Sequence, residues 1–375
     1  MLKRTAKIVA ALSIVAAAYL LFWPLPINAV AWVPGPDRGM SGPFAPNDLL
    51  GDLELLAPGV GVGPEDITRG SDGRFYSGLQ DGRIVRFSAT NFQEIDVVAT
   101  TGRPLGMQFD EQGNLIVADK LRGLLSIAPD GNVSVLADRI HGKRMLLVDD
   151  LDIAGDGAIW FSDASQRFDG HVMDFWEGRA TGRLLRYDPL ADRLSVELEG
   201  LRFANGVALG PESAFVLVSE TLGARITRLW LKGPKAGTRE IFLDALPGYP
   251  DNISYNGQGV FWVALVAPRV GELERLAGRP FLREVVMRLP EFVRSAPEPR
   301  LGWIIGVDLD GKVRYSLQER TGRYAAITSV NEFDGQLYLG SLGMTAIGRV
   351  DAPRSPTLPS SMSNRMQEEG LHGRP

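Results

Sequence analysis

Five oxygen-bearing side chains recur at one position of a repeated sequence phrase: Glu65, Asp149, Asn205, Asp251 and Asn252. Each stands about eight residues before a turn of Asp-Gly type, Glu65 in GPEDI, Asp149 in LVDDLDI, Asn205 in FANGVAL, and Asp251 with Asn252 in YPDNISY. Carboxylates and carboxamides are hard donors, and without His or Cys among them the set suits calcium rather than zinc or copper. Three carboxylates aimed at one point repel each other unless a cation sits between them. Taken singly, an Asp or Asn ahead of a strand is usually a turn residue. The shared register across four repeats is what points to a joint metal site. The two remaining repeats are apolar there, near Leu105 and Ile327.

The elements that must position these residues are legible as a repeat. A turn is followed by an apolar strand, a small-residue step and a second strand rich in Arg, Leu and Ile. The copies begin at Asp72-Gly73, Gln112-Gly113, Asp156-Gly157, Glu212-Ser213, Gln258-Gly259 and Asp334-Gly335. With insertions set aside the period is about 40–45 residues, the size of a four-stranded blade. Six such blades close into a β-propeller, whose innermost strands converge on a central axis. The expected fold is therefore all-β: a six-bladed propeller with an N-terminal membrane helix and a short helical insertion in blade 5. A β-sandwich of many hairpins is the competing reading, but sandwich strands do not repeat in this order.

Composition narrows the function. The 43 glycines and 24 prolines are spread along the 375 residues, as tight turns between short strands require. A net charge of −5 gives no basic face for nucleic acid. The chain has no cysteine, which excludes disulfides, thiolate zinc sites and a cysteine nucleophile. Its three histidines, His141, His171 and His372, are too scattered to build a metal site, and no Gly-x-Ser-x-Gly elbow accompanies them.

Lys3, Arg4 and Lys7 precede an apolar run from Ile8 to Trp23, ended by Pro24 and Pro26. This is a positive region followed by a hydrophobic one. It reads as a retained anchor with the body exported to the periplasmic or extracytoplasmic side. The alternative is a signal peptide cut after Ala29-Val30-Ala31 and a secreted product. The expected organisation is a signal-anchor over 1–31, a linker and lead-in over 32–57, the propeller over 58–352 and a disordered tail over 353–375. Residues 270–297 read as helical, with Leu273, Leu276, Phe281, Val285, Leu289 and Phe292 at helical spacing and Pro280 and Pro290 splitting the run. Two readings stay open for this insertion: helices packed on one propeller face, or a lid or membrane-contacting element.

The ordered set RPLGM, NLIVADKLRGLL, LVDDLDI, IWFSDAS, GRLLRYDP, LRFANGVAL, LVSET, PGYPDNIS and VNEFDGQLYLGSL resembles the strictosidine synthase-like family. The resemblance spans about residues 42–350, and it extends more distantly to the paraoxonases and gluconolactonases. It implies calcium ligands at Glu65, Asn205, Asp251 and Asn252, and at Asp149 where the family carries Asn. It places Thr328, a candidate substrate contact, where strictosidine synthases carry their catalytic Glu, which argues against amine–aldehyde condensation. The paraoxonase histidine pair has no counterpart, and Asp119 stands near one of its places, either as a substrate contact or as a turn residue. The function expected on this basis is calcium-dependent hydrolysis of a small-molecule ester or lactone, with phosphotriesters as side substrates. Calcium would polarise the carbonyl, Asp251 would activate water or attack directly, and Asn205 and Asp149 would orient the substrate oxygen. The alternative is a non-catalytic, calcium-stabilised scaffold at the membrane.

Overall fold

The computed structural model describes residues 2–88, 91–294 and 300–353. Its described body contains six four-stranded antiparallel sheets, each one blade. The inner strands, in blade order, are Ile67–Arg69, Pro104–Phe109, Val148–Ile153, Ala204–Leu209, Gly248–Tyr255 and Ile327–Phe333. All six start at the same face of the ring, here called the upper face, and run toward the lower one. Neighbouring blades bury apolar side chains between them, among them Trp262 and Trp303 in blade 5 and Phe161 in blade 3. Fully burying one such side chain stabilises the fold by about 1.5–3 kcal/mol.

The ring is closed by a strand from the lead-in. Glu54–Leu56 pairs antiparallel with Ile347–Asp351, Leu55 opposite Gly348, and completes blade 6. Closure leaves the ring without the free edge of an open sheet. Residues 32–57 are therefore not a linker. Trp32, Phe44, Leu50 and Leu53 are buried against the propeller, so the lead-in belongs to the domain it precedes. The tail expected to be disordered lies outside the described residues from 354 onward.

Among the described residues five α-helices accompany the sheets. α1 (Leu2–Phe22) is longer than the apolar run, because Lys3, Arg4 and Lys7 extend its first turns. Its span Lys3–Phe22 is long and apolar enough to cross a membrane and is not buried in the structure. α2 (His171–Glu177) fills an insertion in blade 3. The blade 5 insertion forms α3 (Gly271–Arg275), α4 (Pro280–Met287) and α5 (Glu291–Arg294). Prolines break this insertion as expected, Pro280 opening α4 at a position where its missing N–H costs nothing. The breaks also change the phase of the apolar stripe. Leu273 is buried, but Phe281 and Phe292 are exposed rather than packed on the body.

The chain between α1 and the propeller is a strap held by these helices. Val30 donates its N–H to the Glu177 carbonyl at 2.9 Å, and Trp32 to the Ala277 carbonyl at 3.1 Å. Asn28 N–H reaches the Glu177 carboxylate and Ala29 N–H the Glu284 carboxylate. The buried Arg283 guanidinium donates to the carbonyls of Val30 and Trp176. Arg288 Nε donates to the Trp23 carbonyl at 2.7 Å, just past the end of α1.

Candidate metal centre

The inner strands are irregular where the five ligand-type residues sit. Pairing with the next strand shifts between Pro104 and Met107, Val148 and Leu151, Ala204 and Val207, Pro250 and Ile253, and Ile327 and Ser329. In a regular strand adjacent side chains point to opposite faces. A bulge removes that constraint, and it lets Asp251 and Asn252 both lie buried at the axis. Glu65 and Asp66 precede their strand and are freed in the same way.

Glu65, Asp149, Asn205, Asp251 and Asn252 are all buried and meet at the upper end of the axis. Asn252 Nδ2 donates to Glu65 Oε1 at 3.1 Å across the ring, and Asn205 hydrogen-bonds the Asp251 carboxyl. Burial, then repulsion by Asp251 and Asp149, holds the Glu65 carboxyl far above its ordinary range. Burial pushes Asp149 up to about 7. Asp251 is raised by burial and by Asp149. The counter-charges nearby are Arg103, held through Nη1 to the Gly63 carbonyl at 3.0 Å, and Lys120. Glu65 Oε2, Asn205 Oδ1 and Asn252 Oδ1 are buried with no hydrogen-bond partner, although buried polar atoms are nearly always satisfied. Among the described residues no group of three His, Cys, Asp or Glu forms a metal-holding cluster by itself. Here two carboxamides stand beside three carboxylates. Unsatisfied hard oxygens around self-repelling carboxylates fit a calcium-type cation.

The doublets EDI and DDL hold two residues whose part the repeat alone did not show. Asp66 Oδ2 accepts the Met107 N–H at 3.1 Å, and Asp150 Oδ2 accepts the Val207 N–H at 2.8 Å. Each carboxylate staples its blade to the bulge of the following one. Gly106 and Gly206, inside two of these bulges, make room for the inner strand of the next blade: a Cβ at Gly106 would meet Asp150, and one at Gly206 would sit 2.5 Å from the Asp251 carbonyl oxygen. Two acidic residues in succession at the ligand register were the available signal.

Asp119 and Thr328 are placed differently. Asp119 Oδ1 accepts the N–H groups of Arg103, Leu121 and Arg122, and Oδ2 accepts the Thr100 hydroxyl at 2.8 Å. These bonds occupy the carboxylate in its turn, and substrate contact at Asp119 has no observation in its favour. Thr328 is buried beside the site and donates its hydroxyl to the Glu65 carbonyl at 2.7 Å.

An apolar cap covers the upper mouth. Leu105, within an inner-strand bulge, and Leu147 and Phe203, each just ahead of one, pack with Trp32, Leu273 and Ala277 and with Phe175 and Trp176 of α2. Phe175 also meets Tyr249, two residues before Asp251, at 5.8 Å between ring centres. His171 opens α2 with its ring against Phe175 and stays exposed; partial desolvation, then Lys120, lower its pKa.

A six-bladed ring defines the class of fold, and solved structures share that ring. A gluconolactonase from Xanthomonas campestris aligns with TM-score 0.60 at 19% identity, over 87% of this chain and 99% of its own. A calcium-binding protein, regucalcin, from Agrobacterium tumefaciens aligns with TM-score 0.53 at 12% identity, over 87% and 98%. Sequence comparison is more specific. The strictosidine synthase model matches residues 149–234, and the N-terminal strictosidine synthase-like model matches residues 42–87. Protein strictosidine synthase-like 13 of Arabidopsis thaliana is 38% identical over 70% of this chain and 73% of its own. The adipocyte plasma membrane-associated protein of Danio rerio is 34% identical over 83% and 81%. The chain belongs to the strictosidine synthase-like family of β-propellers.

Proposed function

We propose that this protein is a membrane-anchored, calcium-dependent hydrolase of esters or lactones. The observation that carries the reading is the group of buried, unpartnered oxygens of Glu65, Asn205 and Asn252 beside the carboxyls of Asp149 and Asp251. These five residues would hold the ion. Bound there, calcium would polarise a carbonyl oxygen and stabilise the charge that develops on it as a Lewis acid. Asp251 is the base that takes a proton from the attacking water, oriented by its hydrogen bond to Asn205. Asp149 and Asn205 orient the substrate oxygen. The cap side chains Phe175, Phe203 and Tyr249 form an apolar wall that excludes bulk water and accepts the non-reacting part of a small-molecule substrate. The likeness to a gluconolactonase supports the reaction class through the fold alone.

Retention of α1 as an anchor is supported by the strap, and the exported side for the propeller by Lys3, Arg4 and Lys7 ahead of the apolar run. The stretch Ala29-Val30-Ala31 is hydrogen-bonded to α2 and α4 rather than free for cleavage.

The test assays the full-length protein in detergent against aryl esters, lactones and phosphotriesters, with calcium and after its removal. At least one ester or lactone is turned over only with calcium. Asp251→Asn keeps an oxygen at the site but lowers turnover about 100-fold or more, the scale of general-base catalysis, while Thr328→Ala leaves it largely intact. Blank-level turnover across the whole panel favours the scaffold reading. Full turnover by Asp251→Asn at saturating calcium removes the assigned base.

A further inference from the structure

The helical insertion in blade 5 presents an apolar surface that the propeller does not use. α4 turns Arg283 and Met287 inward and leaves Phe281 56% and Leu282 38% exposed. In α5, Phe292 is 85% and Val293 54% exposed. Outside α1, Phe281 and Phe292 are the exposed phenylalanines among the described residues. Exposed aromatic residues on two successive short helices, α4 and α5, mark a surface with a partner.

The position of this surface identifies the partner. Arg288, at the end of α4, donates to the Trp23 carbonyl, one residue beyond the last residue of α1. Phe292 lies four residues after Arg288, within about 14 Å even for extended chain. Phe281 lies seven residues before it, about 10 Å along the helix. Tyr19 and Trp23 pair at 5.5 Å between ring centres at this end of α1, where aromatic residues mark a membrane–water boundary. The interfacial layer on each side of a bilayer is about 5–7 Å deep. The Arg288–Trp23 bond therefore keeps the exposed apolar side chains within about 10–14 Å of the end of α1.

We propose that α4 and α5 dock on the lipid bilayer that α1 crosses, with Phe281, Leu282, Phe292 and Val293 seated at the boundary between headgroups and acyl chains. Short helices with one apolar face lie in this layer. Two tethers, α1 and the α4–α5 patch, then fix the orientation of the propeller. Because α3 contributes Leu273 to the cap over the upper mouth and α4 packs on α2 of that cap, the candidate site faces the membrane and the lower face points away. The docking does not depend on which reaction the site performs.

The cysteine-free chain permits a direct test. Full-length Phe281→Cys, Phe292→Cys and Leu190→Cys proteins are labelled with an environment-sensitive fluorophore and placed in phosphatidylcholine nanodiscs. Leu190 is the control, 93% exposed in a turn at the lower face. Labels at 281 and 292 should lose at least half of their emission to lipids spin-labelled near the headgroup, and should resist quenching by iodide. The label at 190 should behave in the opposite way. Iodide quenching at 292 equal to that at 190 overturns the proposal. So does protection from iodide without quenching by spin-labelled lipid, which would assign the surface to a second copy of the chain. Val293→Cys replaces either variant if its thermal unfolding departs from that of the parent protein.

Discussion

Calcium removal should destabilise the propeller by an amount that grows with pH. Without a cation, burial and mutual repulsion raise the carboxyls of Glu65, Asp149 and Asp251 above their values in the unfolded chain. A raised acid binds more protons folded than unfolded, so metal-free stability is fully present below pH ~4 and falls as pH rises toward 7. Asp149 alone, at about 7 against an ordinary 3.8, corresponds to a loss of about 4 kcal/mol across that window. Calcium held at the proposed site would act in the other direction. At 1,000 times its dissociation constant it adds about 4 kcal/mol, and for a domain of this size each kcal/mol moves Tm by about 2 °C. Loaded and calcium-free protein should therefore differ by about 8 °C at pH 7.5. At pH 5 the difference should shrink to a degree or two, because the cation must displace protons from its ligands. The assay is scanning calorimetry of dialysed protein, with and without added calcium, in steps from pH 5 to 8. A metal-free Tm that is flat over this range, or a calcium shift equal at pH 5 and 7.5, would refute the reasoning.

Two further outcomes test how the site is positioned. Gly206→Ala drives a Cβ to 2.5 Å from the Asp251 carbonyl and the Ile253 nitrogen, both backbone atoms that cannot move aside. A loss of about 3 kcal/mol or more is expected in denaturant unfolding, and the calcium-induced Tm shift should diminish with it. Arg183→Met strands Asp163, fully buried and bonded by Arg183 Nε at 3.2 Å. It should cost about 3–5 kcal/mol, and pairing it with Asp163→Leu should recover most of the loss. Equal instability of the single and double variants would contradict an ion-pair origin.

Much of the fold was legible because a propeller repeats itself. The turn-strand-step-strand phrase recurs six times, and equivalent positions in a ring must converge, so Glu65, Asp149, Asn205, Asp251 and Asn252 could be aligned from register alone. A single blade holds no such information, since each of these residues alone is an ordinary turn residue. The α1 segment was equally plain, because charge and hydropathy are local properties. The proline breaks at Pro280 and Pro290 were local too.

Other features depend on contacts between residues distant in the chain. The Glu54–Leu56 strand is three residues long and carries no alternation of its own; only Ile347–Asp351, nearly 300 residues away, makes it the closing strand of blade 6. The Ala29-Val30-Ala31 stretch has the composition of a cleavage site, and its role as a strap appears only once Glu177, Ala277 and Arg283 surround it. Bulges are a third case. They arise where one inner strand presses on the next, at Gly106 against Asp150 and at Gly206 against the Asp251 carbonyl, and they bring Asp251 and Asn252 to the axis together. Sequence set which oxygens were available to the site. Packing between blades set which of them face one another unpaired, because desolvation and repulsion exist only after the ring has closed.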